Sequence, residues 1–201
     1  MQSLVLDLGN VLAFFDHRRA CRQLAALAQP GTTEDAVFDL LFHHPLERGY
    51  DTGEITTTEF IAALRSAFGM TAQDEAIAEA WSDIFEPNTT LIAQLPALKA
   101  VVKRLVLASN TNELHFTRIR RIMPAAIALF DATVLSFEVG LRKPSVHFFE
   151  RVVAATEGPA GASVYVDDRP DFVAAAESFG MRGRVYQSGR PITLPRPEPL
   201  T

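Results

Sequence analysis

Short apolar runs recur along the chain, and most of them end on polar residues. Residues 4–6 are aliphatic and stop at Asp7. Residues 104–108 stop at Ser109-Asn110, 132–135 at Ser136 and 163–166 at Asp167-Asp168; 184–186 form a last, shorter run. Near-continuous apolarity over so short a span fits a strand buried on both faces. Helical patterns fill the gaps. Over 88–102, Leu91, Ile92, Leu95 and Leu98 share one helical face. Segments 144–155 and 170–179 each open on proline, where a missing N–H costs little, and the second runs into the helix stop Gly180. Strands alternating with helices predict an α/β fold with a doubly wound parallel sheet.

Residues 17–86 break the alternation. Segments 24–28, 36–42, 55–68 and 77–85 read as helices, and no strand is expected among them. Thr56 or Thr57 is placed to cap the third, with Glu59 in its first turn. The expected organisation is a core of 1–14 and 88–201 interrupted by a helical cap subdomain, 15–87. Residues 190–201 hold four prolines and read as irregular.

Composition narrows the function classes. The chain has 201 residues, 48% of them hydrophobic, enough for one substantial core and a smaller subdomain. A formal net charge of -5 gives no field to gather nucleic acid. No apolar run reaches the roughly 18 residues of a membrane span. The start MQSLVLDLGN lacks a cationic lead, so no signal peptide is expected. One cysteine, Cys21, rules out an intrachain disulfide and suits a packed thiol in a reducing compartment. A cytoplasmic monomer or weak dimer is expected.

The chemistry collects at strand ends: Asp7, Ser109-Asn110, Lys143 in the loop after the third run, and Asp167-Asp168. Ligands of an open parallel sheet bind outside the carboxyl ends of its strands, so these residues would converge on one crevice. A carboxylate there can attack a phosphoryl group. An incoming phosphate carries about two negative charges, so a cation must accompany the acids. Asp7 and Asp168 offer the hard oxygens Mg²⁺ prefers. Lys143 adds fixed positive charge, while Ser109 and the Asn110 amide can donate to phosphoryl oxygens.

Taken in order, DLGNVL, LASNTN, GLRKP and VYVDD resemble the four motifs of the haloacid dehalogenase-like superfamily. The stretch GEITTTEF is similar to the C1-type caps of its bacterial sugar-phosphate phosphatases. The resemblance implies Asp7 as nucleophile, Ser109, Asn110 and Lys143 on the substrate phosphate, and Mg²⁺ held by Asp7, the Gly9 carbonyl and Asp168. Asp167 would support the ion indirectly or pair with Lys143. The implied activity is Mg²⁺-dependent hydrolysis of a small phosphorylated metabolite such as a sugar phosphate. Two positions depart from the pattern. Gly9 stands where these phosphatases carry a second aspartate as general acid, and Phe172 where an asparagine is common. Gly9 leaves two other readings in view: a metal-independent haloacid dehalogenase, or a phospho-ligand-binding protein without turnover.

The remaining polar residues read as structural. His43-His44 are adjacent and would diverge on a helix. His17, His115 and His147 have no evident partner. Trp81 and Phe85 are expected in the cap core, and Asp16, Arg18 and Arg19 at a solvated hinge.

Overall fold

A computed structural model of the chain describes residues 3–193. Its centre is a five-stranded, all-parallel sheet of order β5-β4-β1-β6-β7. The strands are β1 (Ser3–Leu6), β4 (Arg104–Ser109), β5 (Ala132–Leu135), β6 (Ser163–Asp167) and β7 (Arg182–Val185). Two further strands, β2 (Ala13–Phe15) and β3 (Phe85–Pro87), pair antiparallel apart from it. Side chains alternate between two apolar layers, as the strand period of two requires. Leu4, Leu6, Leu105, Leu107, Val164 and Val166 pack on one side with Leu91, Leu95 and Ile119. Val5, Val106, Ala108 and Tyr165 pack on the other with Phe148, Phe149, Val152 and Ala176. The helices behind these layers are α6 (Thr89–Val101) and α7 (Glu113–Ile122) on the first, α10 (Val146–Thr156) and α11 (Pro170–Ser178) on the second. The expected doubly wound α/β sheet is what forms.

Between β2 and β3 run five helices: α1 (His17–Leu27), α2 (Glu34–Phe42), α3 (Leu46–Asp51), α4 (Thr57–Phe68) and α5 (Asp74–Ser82). They enclose their own core around Leu24, Leu41, Phe60, Leu64 and the fully buried Trp81. Cys21 belongs to it, and burial pushes its thiol up to about 11, so it is a packing group. Thr56 caps α4, its hydroxyl accepting from the Glu59 amide while Glu59 accepts from the Thr56 amide.

Several boundaries differ from the sequence reading. The helix expected over 77–85 stops at Ser82, and Phe85 begins β3, so the stretch expected to lack strands contains part of one. A three-residue strand carries too little alternation to be read. The last sheet strand is Arg182–Val185 rather than 184–186, because its pairing with β6 starts at Arg182. Three short helices carried no periodic signal: α3, α8 (Pro124–Ile127) and α9 (Ser136–Val139). Of the tail expected to be irregular, 190–193 form no regular element, and 194–201 lie outside the described residues. No helix among the described residues is long and apolar enough to cross a membrane.

Candidate active site

The sheet order reverses direction at β1, with β4 on one side and β6 on the other. That is the switch point where a ligand crevice opens at strand carboxyl ends. Asp7 continues β1, its amide still bonded to the Val166 carbonyl at 2.9 Å. The chain then doubles back. The amides of Leu12 and Ala13 both bond the Leu8 carbonyl, and Asn10 adopts the left-handed conformation at φ 53. Asparagine tolerates that region better than most residues. The turn lets the Asn10 side-chain Nδ2 donate to Asp168 Oδ2 at 3.1 Å, joining the β1 and β6 loops.

Lys143 organises the centre. Its ammonium donates to Asp7 Oδ1 at 2.7 Å, Asp167 Oδ2 at 2.7 Å and the Ala108 carbonyl at 3.3 Å. All three charged groups are buried. Asp167 is held further: Tyr165 donates to the same oxygen at 2.8 Å and the Arg169 amide to Oδ1 at 3.0 Å. The structure thus pairs it with Lys143. Asn110 fixes the lysine's backbone, accepting from the Lys143 amide at 2.8 Å and donating to its carbonyl at 3.2 Å. Ser109 is buried beside it and lines the same cavity. Neither caps α7; Asn112 does, accepting from the His115 amide at 3.0 Å. The Phe172 ring, where asparagine is common in related sequences, faces two cations, with Lys143 Nζ 5.0 Å and the Arg169 guanidinium 4.1 Å from its centroid. A ring face can stand in for part of a polar neighbour in this way.

Asp7, Asp167 and Asp168 offer oxygens within 4.8 Å of one another. Three carboxylates against one ammonium leave a formal excess of two negative charges. Burial accordingly raises the Asp7 carboxyl to about 7 despite Lys143, with Asp167 adding to the rise. Asp168 is raised too, by burial first. A divalent ion matches that excess, and the free donors of Asp7 and Asp168 are of the type Mg²⁺ takes.

The cavity above these groups measures about 210 Å³ and is lined from core and cap together. Phe15, His17, Glu47 and Asp51 come from the cap side; Gly9, Ser109, Asn110, Arg142, Lys143 and Asp168 come from the core. A side chain at Gly9 would collide with Phe15, because a Cβ there would lie 2.8 Å from the ring. The place of a second aspartate is thus filled by an aromatic edge. Asn112, Arg142, Glu47, Asp51 and Tyr165 were not singled out by the sequence. Arg142, Asn112 and Tyr165 carried a signal, by lying inside GLRKP, LASNTN and VYVDD; Glu47 and Asp51 carried none.

The structural expectation for the histidines holds for the exposed His43, His44 and His147, which sit beside Asp39 or Glu150. His115 is buried at the cavity wall, stacked on Trp81 at 4.6 Å, with Nε2–H donating to the Trp81 carbonyl and Nδ1 accepting from Asn112. Burial lowers it to about 3, with His17 nearby adding to the fall. The unfolded chain would take up the proton near 6.5 and the folded one would not. Its contribution is therefore complete above 6.5 and is lost as pH falls toward 3. His115→Gln should remove about 2 kcal/mol of the stability loss between pH 7 and 5, measured by urea unfolding at both values; an unchanged pH slope would refute this. Asp16 caps α1 through the Arg18 amide, and Arg18 and Arg19 pair with Asp35 and Asp83.

Known proteins resemble this chain at modest identity. No protein-family model matches it. It is 26% identical to the sesquiterpene phosphatase astK of Aspergillus oryzae over 67% of this chain and 68% of that one. It is also 26% identical to the drimenol cyclase drtB of Aspergillus calidoustus over 92% of this chain, and it spans about a third (34%) of that protein's length. In three dimensions it superposes on a HAD-family enzyme of Bacteroides thetaiotaomicron, crystallised with magnesium and inorganic phosphate, at TM-score 0.84 and 22% identity, covering 94% of this chain and 96% of that one. Core, cap and the crevice between them are together the haloacid dehalogenase-like fold.

Proposed function

We propose that the protein is a Mg²⁺-dependent phosphatase acting on a small phosphorylated metabolite through an aspartyl-phosphate on Asp7. The observation that carries this is the cluster in which buried Asp7 and Asp167 share the ammonium of Lys143, with half-buried Asp168 beside them. Its charge suits a divalent ion, and its cavity suits a phosphate with a compact organic group. The sesquiterpene phosphatase and the magnesium- and phosphate-bound Bacteroides enzyme support the same reading.

In this reading Asp7, the Gly9 carbonyl and Asp168 would hold Mg²⁺, whose charge would offset that on the phosphoryl oxygens. Asp7 attacks phosphorus. Lys143 keeps Asp7 aimed and balances charge, with Asp167, Tyr165 and Asn110 fixing the lysine. Ser109 and the Asn110 amide hold the phosphoryl oxygens. Water then releases phosphate and restores Asp7. The cap closes the crevice and selects the substrate, and the one buried thiol suits a reducing, cytoplasmic setting.

The dehalogenase reading is weaker on one point. A metal-free displacement of halide gains nothing from Asp168 beside Asp7 and Asp167, which only adds repulsion. The test is hydrolysis of p-nitrophenyl phosphate with Mg²⁺, abolished by EDTA and restored by added Mg²⁺. Chloride release from 2-chloropropionate that survives EDTA would replace the phosphatase reading with the dehalogenase one. Mg²⁺-dependent stabilisation by beryllofluoride without turnover of any phosphate ester would leave a binding protein.

A further inference from the structure

A phosphatase site with glycine at position 9 needs a proton donor for its leaving group from elsewhere. The Gly9 position cannot supply one indirectly, because Phe15 fills the space beside it. The cap presents two acids to the same cavity, Glu47 and Asp51, both on α3. Asp51 is the more enclosed, at 5% exposure. Asn112, itself fully buried, donates to Asp51 Oδ1 at 3.0 Å and so fixes the carboxyl. Arg142, next to Lys143 in the chain, approaches Asp51 Oδ2 at 3.5 Å and Glu47 at 3.6 Å. The cap acid is thereby tied to the loop that carries the central lysine. The turn after α3 is pressed close to the core: at Gly53 a Cβ would run into the Phe137 carbonyl.

Resting on the phosphatase reading above, we propose that Asp51 is the proton donor to the leaving oxygen, supplied by the cap in place of the missing acid at Gly9. As the bond from phosphorus to the ester oxygen breaks and the bond from Asp7 to phosphorus forms, the Asp51 carboxyl passes its proton to the departing oxygen. Products are the alcohol, the aspartyl-phosphate and an Asp51 carboxylate. That carboxylate then takes a proton from the water attacking phosphorus, which yields phosphate, the free Asp7 carboxylate and protonated Asp51. The protonation state agrees with the geometry. Burial foremost, then the neighbouring Glu47, raise Asp51 to about 8 against the opposing pull of Arg142 and Asn112. A donor of this pKa is in its acid form at neutral pH and near the optimum for transfer. Glu47 and Arg142 are the charged groups that face it.

The experiment compares two aryl esters. The anion of p-nitrophenol leaves without help; phenolate leaves poorly and gains from protonation. Asp51→Asn keeps an acceptor for Asn112 and loses the proton. It should lower kcat/KM for phenyl phosphate by ~10²–10⁴-fold and that for p-nitrophenyl phosphate far less, while kcat falls for both because the same carboxylate activates the water that frees Asp7. Asp51→Glu should recover much of the phenyl activity. The wild-type protein gives a second measurement that does not depend on a variant folding: its kcat/KM for phenyl phosphate should fall above pH about 8, with p-nitrophenyl phosphate flat across the same range. Equal losses of kcat/KM on both esters, or matching pH profiles, would overturn the assignment and leave Asp51 a tie between cap and core. A wild-type protein that releases no phosphate from either ester in Mg²⁺ would overturn the proposal together with the phosphatase reading. Turnover of p-nitrophenyl phosphate alone would overturn only the donor.

Discussion

Asp7→Asn should abolish phosphate release. The substitution keeps the size of the side chain and an acceptor for Lys143, whose ammonium sits 2.7 Å from Oδ1. It removes the proposed nucleophile and a proposed anionic ligand for the ion at once. Loss of a covalent nucleophile costs on the order of 10⁴–10⁶-fold in kcat. The effect should lie in kcat, because the phosphate still finds Lys143, Ser109 and the Asn110 amide. The variant should stay folded, since amide for carboxylate relieves repulsion among Asp7, Asp167 and Asp168. Burst kinetics give an independent check: the wild-type protein should incorporate acid-stable phosphate-derived label in a single turnover and Asp7→Asn none. Equal turnover by the two proteins would move the nucleophile away from Asp7.

How much of the molecule is legible in its sequence follows from the length scale of each feature. The last strand, RGRV, is exposed at three of its four positions and its bounds were misread, whereas β1, β4 and β6 were visible because they are apolar and buried almost throughout, so no alternation had to be found within a few residues. Their polar end residues were visible for the same reason: Asp7 and Asp167 interrupt apolar runs abruptly. The convergence of Asp7, Lys143 and Asp167 followed from parallel topology alone, although the residues lie up to 160 positions apart. The contacts that give each its role did not. Asp167 pairs with Lys143 because Tyr165, two residues earlier on the same face of β6, also points at its carboxylate. Asn110 grips the Lys143 backbone across 33 residues. Such pairings depend on loop conformation, which hydrophobic period does not encode. The cap was legible as a helical interruption, yet α3 was not. That helix is six residues long, LERGYD, with a glycine inside and no repeating apolar face. It nevertheless brings Glu47 and Asp51 to the cavity. Residues reaching a site from a short, irregular element are therefore the ones a sequence reading is most apt to miss. Phe172 shows the converse: an apolar residue at a polar position looked like a loss, and its ring turns out to face Lys143 and Arg169.

Lys143→Met should be the most destabilising single change in the site. The side chain is 1% exposed and its ammonium satisfies two carboxylates, each at 2.7 Å. Methionine fills a similar volume and loses only the charge, so packing against Phe172 and the Ala108 strand end is largely kept. Asp7 and Asp167 would be left buried without a counter-charge. Removing one partner of a buried ion pair typically costs ~3–5 kcal/mol, mostly from the charge left behind. For a chain of this size that corresponds to a fall in Tm of about 6–20 °C. Two controls separate the cause from simple misfit. Adding Asp167→Asn to Lys143→Met should recover part of the loss, because one orphaned carboxylate becomes an amide that Tyr165 and the Arg169 amide can still address. Mg²⁺ should raise Tm more in Lys143→Met than in the wild-type protein, since the ion becomes the nearest cation to Asp7. A melting temperature within a degree or two of wild type, or a double variant worse than the single one, would mean that Lys143 serves catalysis without holding these strand ends together.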